Sequence, residues 1–199
     1  SAYDKGAKVV LLEKTAAIGG TTATSQGLAG GYESQFTKAM DVHYTFEEMY
    51  QNLMNNASYR LDPALTTITV ENSGETIDWM ADRAGMEVYA VVPGYGPLTM
   101  MHCIKDAGLG MKAAMEKTLA ETTIDLQLNT KATEILMNAD GSVKGVKATR
   151  GNDTVYVYAD SVVIATGGYA YNPELTVRLD PEKEGTMGIG WEGATGDGI

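Results

Sequence analysis

The stretch that decides the fold runs from Val9 to Gly31 and reads VVLLEKTAAIGGTTATSQGLAGG. It opens with four apolar residues, Val9–Leu12, which are followed by the acid Glu13. A short apolar run between turn signals is typical of a strand that is buried on both faces in a parallel sheet. The preceding residues 2–5 have a helical composition, and Gly6 can end that helix in the left-handed conformation. This order of elements predicts the second half of a nucleotide-binding βαβ unit.

Glu13 is the first candidate ligand contact in this unit. In dinucleotide-binding βαβ units, an acid at this position accepts hydrogen bonds from ribose hydroxyls and lies about 20 residues after the glycine-rich phosphate turn. Counting back about 20 residues from Glu13 leads to a point before Ser1. We therefore expect the sequence to be a piece of a longer protein, in which the first strand and the phosphate turn precede it.

The second half of the stretch is too rich in glycine and small hydroxyl side chains to be a packing element. Backbone amides in such a segment can approach a ligand closely and donate hydrogen bonds to it. We therefore predict a ligand-binding loop formed by Gly19, Gly20, Thr21, Thr22, Ser25, Gln26 and Gly27. On this stretch alone, the alternative is an ordinary NAD-type strand followed by an unrelated flexible loop.

The composition is that of a globular protein, with 44% hydrophobic and 21% charged residues among 199. The net charge of −11 argues against a nucleic-acid partner, since such surfaces need clustered lysine and arginine. No apolar run approaches the ~18 residues that cross a bilayer, so we expect a soluble chain without a transmembrane segment. Its compartment, cytoplasmic or exported, stays open. Cys103 is the only cysteine, which excludes a disulfide framework and a thiolate metal cluster.

The middle of the chain predicts a mainly helical lobe. Thr45 and Glu48 have the spacing of a capping box, and apolar residues follow at helical intervals. Asp62–Pro63 begins a second helix, which ends at Gly85 with a possible break at Ser73–Gly74. The predicted buried face of this second helix consists of Leu65, Ile68, Ile77 and Met80.

Residues 86–109 give the least distinct pattern. Gly94–Pro97 must turn, whereas Met100–Cys103 is either a buried segment or a loop near a ligand. His102 is accordingly either a core imidazole with a satisfied hydrogen bond or a group that faces a ligand. A third helix is predicted at Met111–Thr118.

From Ile124 onward the pattern predicts strands. Residues 124–128 alternate with period two, and the runs 131–137 and 143–149 flank Asp140–Gly141, a strong hairpin signal. A further strand is predicted at 155–158. The apolar run 161–168 then predicts a strand that returns to the parallel sheet and ends in a Gly-Gly turn.

Several of these runs resemble one family. The EK-x-x-x-I-GG-T-T run with the following S-Q-G, the ATGG run at 165–168 and the ATGDGI run at 194–199 occur in the same order in it. They resemble the FAD-binding domain of the fumarate reductase/succinate dehydrogenase flavoproteins, a family that includes soluble fumarate reductases and ketosteroid dehydrogenases. The resemblance implies an α/β, Rossmann-like FAD-binding fold with a parallel sheet, a β-meander crossover and a helical lobe.

The resemblance also implies which residues contact the cofactor. Besides the predicted loop, these are Glu13, Lys14, Ala132, Thr166, Gly167, Gly168, Gly196, Asp197 and Gly198. The membrane-bound branch of the family attaches flavin to a histidine, and the alignment places Thr21 at that position. A threonine cannot form that bond, so the resemblance implies non-covalent FAD.

The implied activity is that of an FAD-dependent oxidoreductase, and reduction of a small unsaturated carboxylic acid such as fumarate is the main expectation. A ketosteroid or enoyl dehydrogenase, or a non-catalytic flavin- or nucleotide-binding module, is the alternative. We expect residues 1–31 and 131–199 to form the nucleotide-binding core and 32–130 the lobe. The family's catalytic arginines and capping domain have no counterpart here, so we predict no catalytic residue, an inactive fragment and possible self-association through unpaired strand edges.

Overall fold

The computed structural model describes residues 1–93, 100–188 and 190–199, so the turn expected at Gly94–Pro97 lies outside the described residues. The chain divides into two compact units, Ser1–Thr24 with Leu119–Ile199 and Ser25–Thr118. Each unit combines helices and strands, which confirms the predicted α/β class.

The first unit contains the predicted parallel pair. Strand β1, Val10–Leu12, pairs in parallel with β5, Asp125–Gln127. A short 3₁₀ helix, Tyr3–Lys5, precedes β1 and ends at Gly6 with φ +85°. These elements confirm the predicted helix, glycine and strand. Burial of β1 on both faces was wrong for the described residues, since Leu11 is 38% exposed where only β5 flanks the strand.

The strand predicted at 161–168 does not form, because these residues have no ladder partner within the described parts of the chain. A run with strand composition becomes a strand only when a neighbour satisfies its backbone donors and acceptors. As a result, Val163 is 87% exposed and Ile164 is exposed as well.

The β-meander of the first unit matches its prediction. Strands β6 (Lys131–Met137), β7 (Val143–Arg150) and β8 (Asp153–Tyr158) form an antiparallel sheet in the order β6-β7-β8. Gly141 turns the first hairpin with φ +84°. The unit also contains two short α-helices, α1 at Gly20–Ala23 and α6 at Pro173–Leu179, and a second 3₁₀ helix at Pro181–Lys183. Asn172 caps α6 by accepting a hydrogen bond from Leu175 N.

The second unit contains helices α2 (Gln35–Ala39), α3 (Phe46–Asn56) and α4 (Pro63–Ala84). It also contains most of helix α5 (Ala107–Ala120), whose last two residues belong to the first unit. Strands β2 (Leu28–Ala29), β3 (Val88–Pro93) and β4 (Met100–Ile104) form an antiparallel sheet in the order β2-β4-β3. The sequence did not predict this sheet. The hydrophobic core cluster of the second unit consists of Ile77, Met86, Ile104 and Ala114.

The predicted caps of α3 and α4 are confirmed. Thr45 and Glu48 exchange both bonds of a capping box, and Asp62 accepts from Leu65 N at 2.9 Å. Glu48 is fully exposed, and the bonds that its carboxylate accepts from Thr45 lower its pKa. Helix α4 ends at Gly85 in the left-handed conformation.

The interior of α4 differs from its prediction in two ways. The possible break at Ser73–Gly74 does not occur, since α4 is continuous there. Ser73 Oγ donates to Val70 O and accepts from Tyr32 N, while Gly74 packs directly against the Tyr32 carbonyl. The buried face was partly wrong as well. Leu65 is 65% exposed and Ile68 is exposed, whereas the buried residues are Thr66, Val70, Gly74 and Ile77.

Candidate functional site

The first unit places Glu13 directly after β1, where the segment after β5 fixes its backbone. Glu13 N donates to Gln127 O at 3.0 Å, and Thr130 N donates to Glu13 O at 2.9 Å. The Glu13 side chain is half-buried, and its Oε1 accepts from Thr15 N and Thr15 Oγ1 at 2.7 and 2.8 Å. Its Oε2 accepts no hydrogen bond from any residue that the structure describes. This oxygen is the acceptor that a ribose hydroxyl would need.

Lys14 connects β1 with the carboxyl-terminal run. Its Nζ donates to Asp197 Oδ2 at 2.5 Å and to Thr195 Oγ1 at 2.7 Å. Lys131 Nζ lies 3.2 Å from the other oxygen of Asp197. Two lysines against one carboxylate leave a net positive charge in this cluster. The hydrogen bond from Lys14 is the main cause of the lowered pKa of Asp197, and Lys131 and Thr195 add to the effect.

Trp191 packs against the start of α1 and beneath Lys14. Lys14 Nζ lies 5.8 Å from the centre of the indole ring, a cation–π arrangement. A Cβ at Gly20 would lie 3.3 Å from Trp191 Cε3, so glycine gives the ring its close approach. Gly20, Thr21 and Thr22 lie in α1 and Gly19 is its N-cap, which corrects the prediction of a loop for these residues. Ala23 N donates to Gly19 O at 3.1 Å.

The two glycine-rich runs at the end of the chain pack against each other. Gly196 N donates to Gly168 O at 3.1 Å. A Cβ on Gly198 would overlap Thr166 Oγ1 and lie 2.7 Å from Ile164 Cγ2, so a larger residue at 198 would force these side chains to shift. No described atom lies within 4 Å of a Cβ built on Gly167 or Gly168, so their backbone is open on that side.

Within the first unit, the donors and acceptors of these residues fit a nucleotide. Glu13 offers a carboxylate oxygen to a ribose, the lysines on Asp197 offer positive charge to a pyrophosphate, and the open backbone at Gly167–Gly168 allows close approach. Ala132 lies beside Lys131 at the start of β6, where it pairs with Ala148.

Ser25, Gln26 and Gly27 belong to the second unit, where they lie before β2. Gly108 N donates to Ser25 O, and Ile104 N donates to Gly27 O. Gly27 has φ +66°, and a Cβ there would overlap the backbone of Ala107. These contacts explain Gly27 through packing, and a cofactor role for the three residues stays a prediction.

His102 is fully buried in the second unit. Its Nδ1 lies 3.1 Å from Ala29 O, which can only accept, so we assign the proton to Nδ1. Its Nε2 lies 2.6 Å from Ser34 Oγ, which accepts from Thr37 N and can donate its own proton to the ring. Burial lowers the pKa of His102. The structure therefore favours the core interpretation of this histidine.

The sequence missed three members of the cluster in the first unit, namely Trp191, Thr195 and Lys131. Thr195 lies inside the ATGDGI run and Lys131 next to Ala132, so proximity to a motif was the available signal. Trp191 carried no such signal, since its role depends on packing against Gly20.

The described parts of the chain contain no group of three or more His, Cys, Asp or Glu residues placed to hold a metal ion. They also contain no helix long and apolar enough to cross a membrane.

The FAD binding domain family model matches residues 1–199. The chain is 33% identical over 207 aligned residues to a fumarate reductase (cytochrome) of Shewanella frigidimarina, covering 100% of this chain and 36% of the relative. The structure of the open conformation of a flavocytochrome c3 fumarate reductase superposes with a TM-score of 0.89 and 26% identity, over 99% of this chain and 36% of that one.

The fold also occurs in a 3-ketosteroid-Δ4-(5α)-dehydrogenase from Rhodococcus jostii RHA1, with a TM-score of 0.84 and 23% identity over 98% of this chain and 48% of that one. The chain spans about a third of the length of the fumarate reductases that it matches. With the family model matched from the first residue to the last, this chain belongs to the FAD binding domain family.

Proposed function

We propose that the chain is the FAD-binding portion of a flavin-dependent oxidoreductase that reduces a small unsaturated carboxylic acid, as fumarate reductases do. The observation that carries this proposal is the 33% identity to a fumarate reductase across the whole chain. The cluster around Glu13, Lys14 and Asp197 supports it, because this cluster joins a ribose acceptor to a cationic region within one unit.

The proposed contacts follow the chemistry of each residue. Glu13 accepts from the adenosine ribose, and Ala132 lies at the adenine. The backbones of Thr166–Gly168 and Gly196–Gly198 bind the pyrophosphate and the ribityl chain. The ion pair between Lys14 and Asp197 holds residues 196–198 in place. Gly19, Gly20, Thr21 and Thr22 supply amides from the start of α1. The nucleotide-binding core is proposed to comprise residues 1–31 and 131–199, and the lobe residues 32–130, although the compact units divide the chain after Thr24 and after Thr118.

FAD, when bound, supplies hydride transfer between a reductant and the substrate. This chain's residues bind and orient the cofactor, and none of them is assigned to proton transfer. We also propose that the cofactor is held non-covalently, because the resemblance aligns Thr21 with the family's attachment histidine and a threonine hydroxyl cannot replace an imidazole there.

The first experiment is a titration of the apo form of the whole protein, of which this chain is proposed to be the FAD-binding portion, with FAD, followed by flavin absorbance and protein fluorescence. We expect saturable binding of one FAD per chain. FMN, which lacks the adenosine that Glu13 is proposed to bind, is expected to bind at least about tenfold more weakly. Equal binding of FAD and FMN, or no binding of FAD, would contradict the proposal.

The substrate class is tested on the whole protein by anaerobic oxidation of a reduced viologen dye. Turnover with fumarate supports the reductase. Reduction of an oxidised artificial electron acceptor by a 3-ketosteroid, without turnover of fumarate, would favour the dehydrogenase alternative, for which the Rhodococcus jostii RHA1 structure supports the fold alone. FAD binding without turnover of either class would favour a binding module.

We further propose that the chain self-associates through residues 162–165. The support is the exposure of Val163 and Ile164 in a run of strand composition, since an unpaired run of this kind seeks backbone partners. Light scattering coupled to gel filtration should show a mass that rises with concentration. Val163→Lys should lower that mass, whereas the exposed Met187→Lys should not.

A further inference from the structure

The main chain on both sides of Glu13 is fixed by residues 127–130. Besides the two bonds made by Glu13 itself, Asn129 N donates to Thr15 O at 2.9 Å. Three backbone bonds thus fix residues 13–15 against one neighbouring segment. The freedom that remains at Glu13 is rotation of its side chain, and that rotation decides where the carboxylate points.

Thr15 controls this rotation with two donors. Its backbone N and its Oγ1 both bond to Glu13 Oε1, at 2.7 and 2.8 Å. Thr15 Oγ1 also lies 2.9 Å from Ala17 O, but a hydroxyl has a single proton to donate. The bond to the carboxylate is charge-assisted and therefore the stronger of the two. Both acceptor sites of Oε1 are then occupied, and Oε2 is left for a ligand.

We propose that Thr15 is a positioning residue that directs Oε2 of Glu13 toward the ribose hydroxyls of the adenosine nucleotide. The inference rests on the proposed function, in which Glu13 receives that ribose. A free glutamate side chain would lose rotamer freedom when it binds a ligand. Thr15 removes that freedom before the ligand arrives, so the Glu13–ribose bonds gain strength although Thr15 does not touch the nucleotide.

The test compares two ligands that differ only in the ribose hydroxyls, ADP and 2′,3′-dideoxy-ADP. Their affinities are measured by displacement of FAD from the protein. The ratio of the two dissociation constants reports the hydroxyl bonds alone. Thr15→Val keeps the side-chain shape and the backbone N–H but deletes the hydroxyl, whereas Thr15→Ser restores the hydroxyl.

We expect the wild-type preference for ADP to fall by about fivefold in Thr15→Val, because the hydroxyl that holds the Glu13 carboxylate is lost while the backbone N–H of residue 15 remains. Thr15→Ser should keep the preference close to the wild-type value. Glu13→Gln gives the lower limit of the preference for ADP over 2′,3′-dideoxy-ADP. If the Thr15→Val variant does not fold, Thr15→Ala takes its place. Thermal unfolding of each variant confirms that it is native.

The possible failures are distinguishable. If Thr15→Val weakens both ligands equally and the ratio stays constant, Thr15 has only a structural role and the inference is overturned. If the wild-type protein binds the two ligands equally, the assignment of Glu13 to a ribose is itself wrong. That second result appears in the wild-type protein, before any variant is compared.

Discussion

Lys14 and Asp197 form an ion pair, with Nζ and Oδ2 2.5 Å apart, although 183 positions separate them in the sequence. Lys14 follows the proposed ribose acceptor Glu13, and Asp197 lies within the ATGDGI run. The pair therefore joins two motifs that the sequence presents separately. Only about a fifth of either side chain is exposed, so the pair is shielded in part from solvent.

The first prediction tests how far Lys14 organises residues 194–198. Lys14→Met removes the charge and the bonds to Asp197 and Thr195, so we expect FAD affinity to fall by about tenfold, the effect of one charge-assisted bond. Lys131→Met is the matched control, because Lys131 contacts the same carboxylate at 3.2 Å from a more exposed position. Its effect should be smaller. Equal losses in the two variants, measured by FAD titration, would contradict a special role for Lys14.

The second prediction concerns the pH dependence of stability. The pKa of Asp197 is lowered in the folded chain, first by the Lys14 bond. The stabilisation is therefore present above the unfolded value of about 3.8 and is lost as the pH falls from there through the folded pKa. Wild type should exceed Asp197→Asn in thermal midpoint at pH 7, and the gap should close as the pH falls below 4. A gap that stays constant down to pH 2 would rule out the ion pair as its source.

The third prediction concerns Glu13. Glu13→Ala should weaken FAD binding by at least about tenfold, because a charge-assisted hydrogen bond contributes ~1.5–3 kcal/mol. Glu134→Gln is the control, since Glu134 is an exposed acid of the same unit that pairs with Lys147. Unchanged affinity in Glu13→Ala, or an equal loss in Glu134→Gln, would indicate that Glu13 is only a solvated acid at a strand end.

The fourth prediction concerns attachment of the cofactor. If Thr21 stands where other family members carry a histidine, acid precipitation of the FAD-loaded protein should leave the flavin in the supernatant. The measurement is flavin absorbance of the two fractions after centrifugation. Flavin that stays with the washed precipitate would show that the alignment at this loop is wrong.

The fifth prediction concerns the packing of α4 in the second unit. Glycine to alanine in a helix usually stabilises by up to about 1 kcal/mol. At Gly74 the added Cβ would overlap the Tyr32 carbonyl, so Gly74→Ala should instead lower the thermal midpoint. Thr69→Ala, at an exposed position of the same helix, should change it little. A stabilised Gly74→Ala would mean that Tyr32 is not in contact with this helix.

The parts of the fold that the sequence predicts are those with local causes. The Thr45 capping box, the Gly85 stop and the Gly141 hairpin each depend on residues within a few positions, and all three form. The sheet of β2, β3 and β4 could not be predicted, because β2 has two residues and pairs with a strand some 70 positions later. Residues 161–168 have strand composition, yet they form no strand among the described residues, because a strand also needs a hydrogen-bonded neighbour.

In the candidate site too, the sequence predicts features with local causes but not contacts between distant residues. Motifs identified Glu13, Lys14 and Asp197, but the sequence could not show that Lys14 and Asp197 meet. The role of Thr15 depends on the rotamer of a neighbouring side chain, and that of Trp191 on the absence of a Cβ at Gly20. Such contacts are properties of packing, which no short spacing rule encodes.

The position of Trp191 has a practical consequence. The chain has two tryptophans, and Trp79 belongs to α4 in the second unit while Trp191 packs on Gly20 in the first. Each unit thus carries its own intrinsic fluorophore. In a Trp79→Phe background, emission comes from an indole next to Lys14, so quenching on nucleotide addition would be an optical signal of occupancy at the first unit. In a Trp191→Phe background, emission would follow unfolding of the second unit by itself.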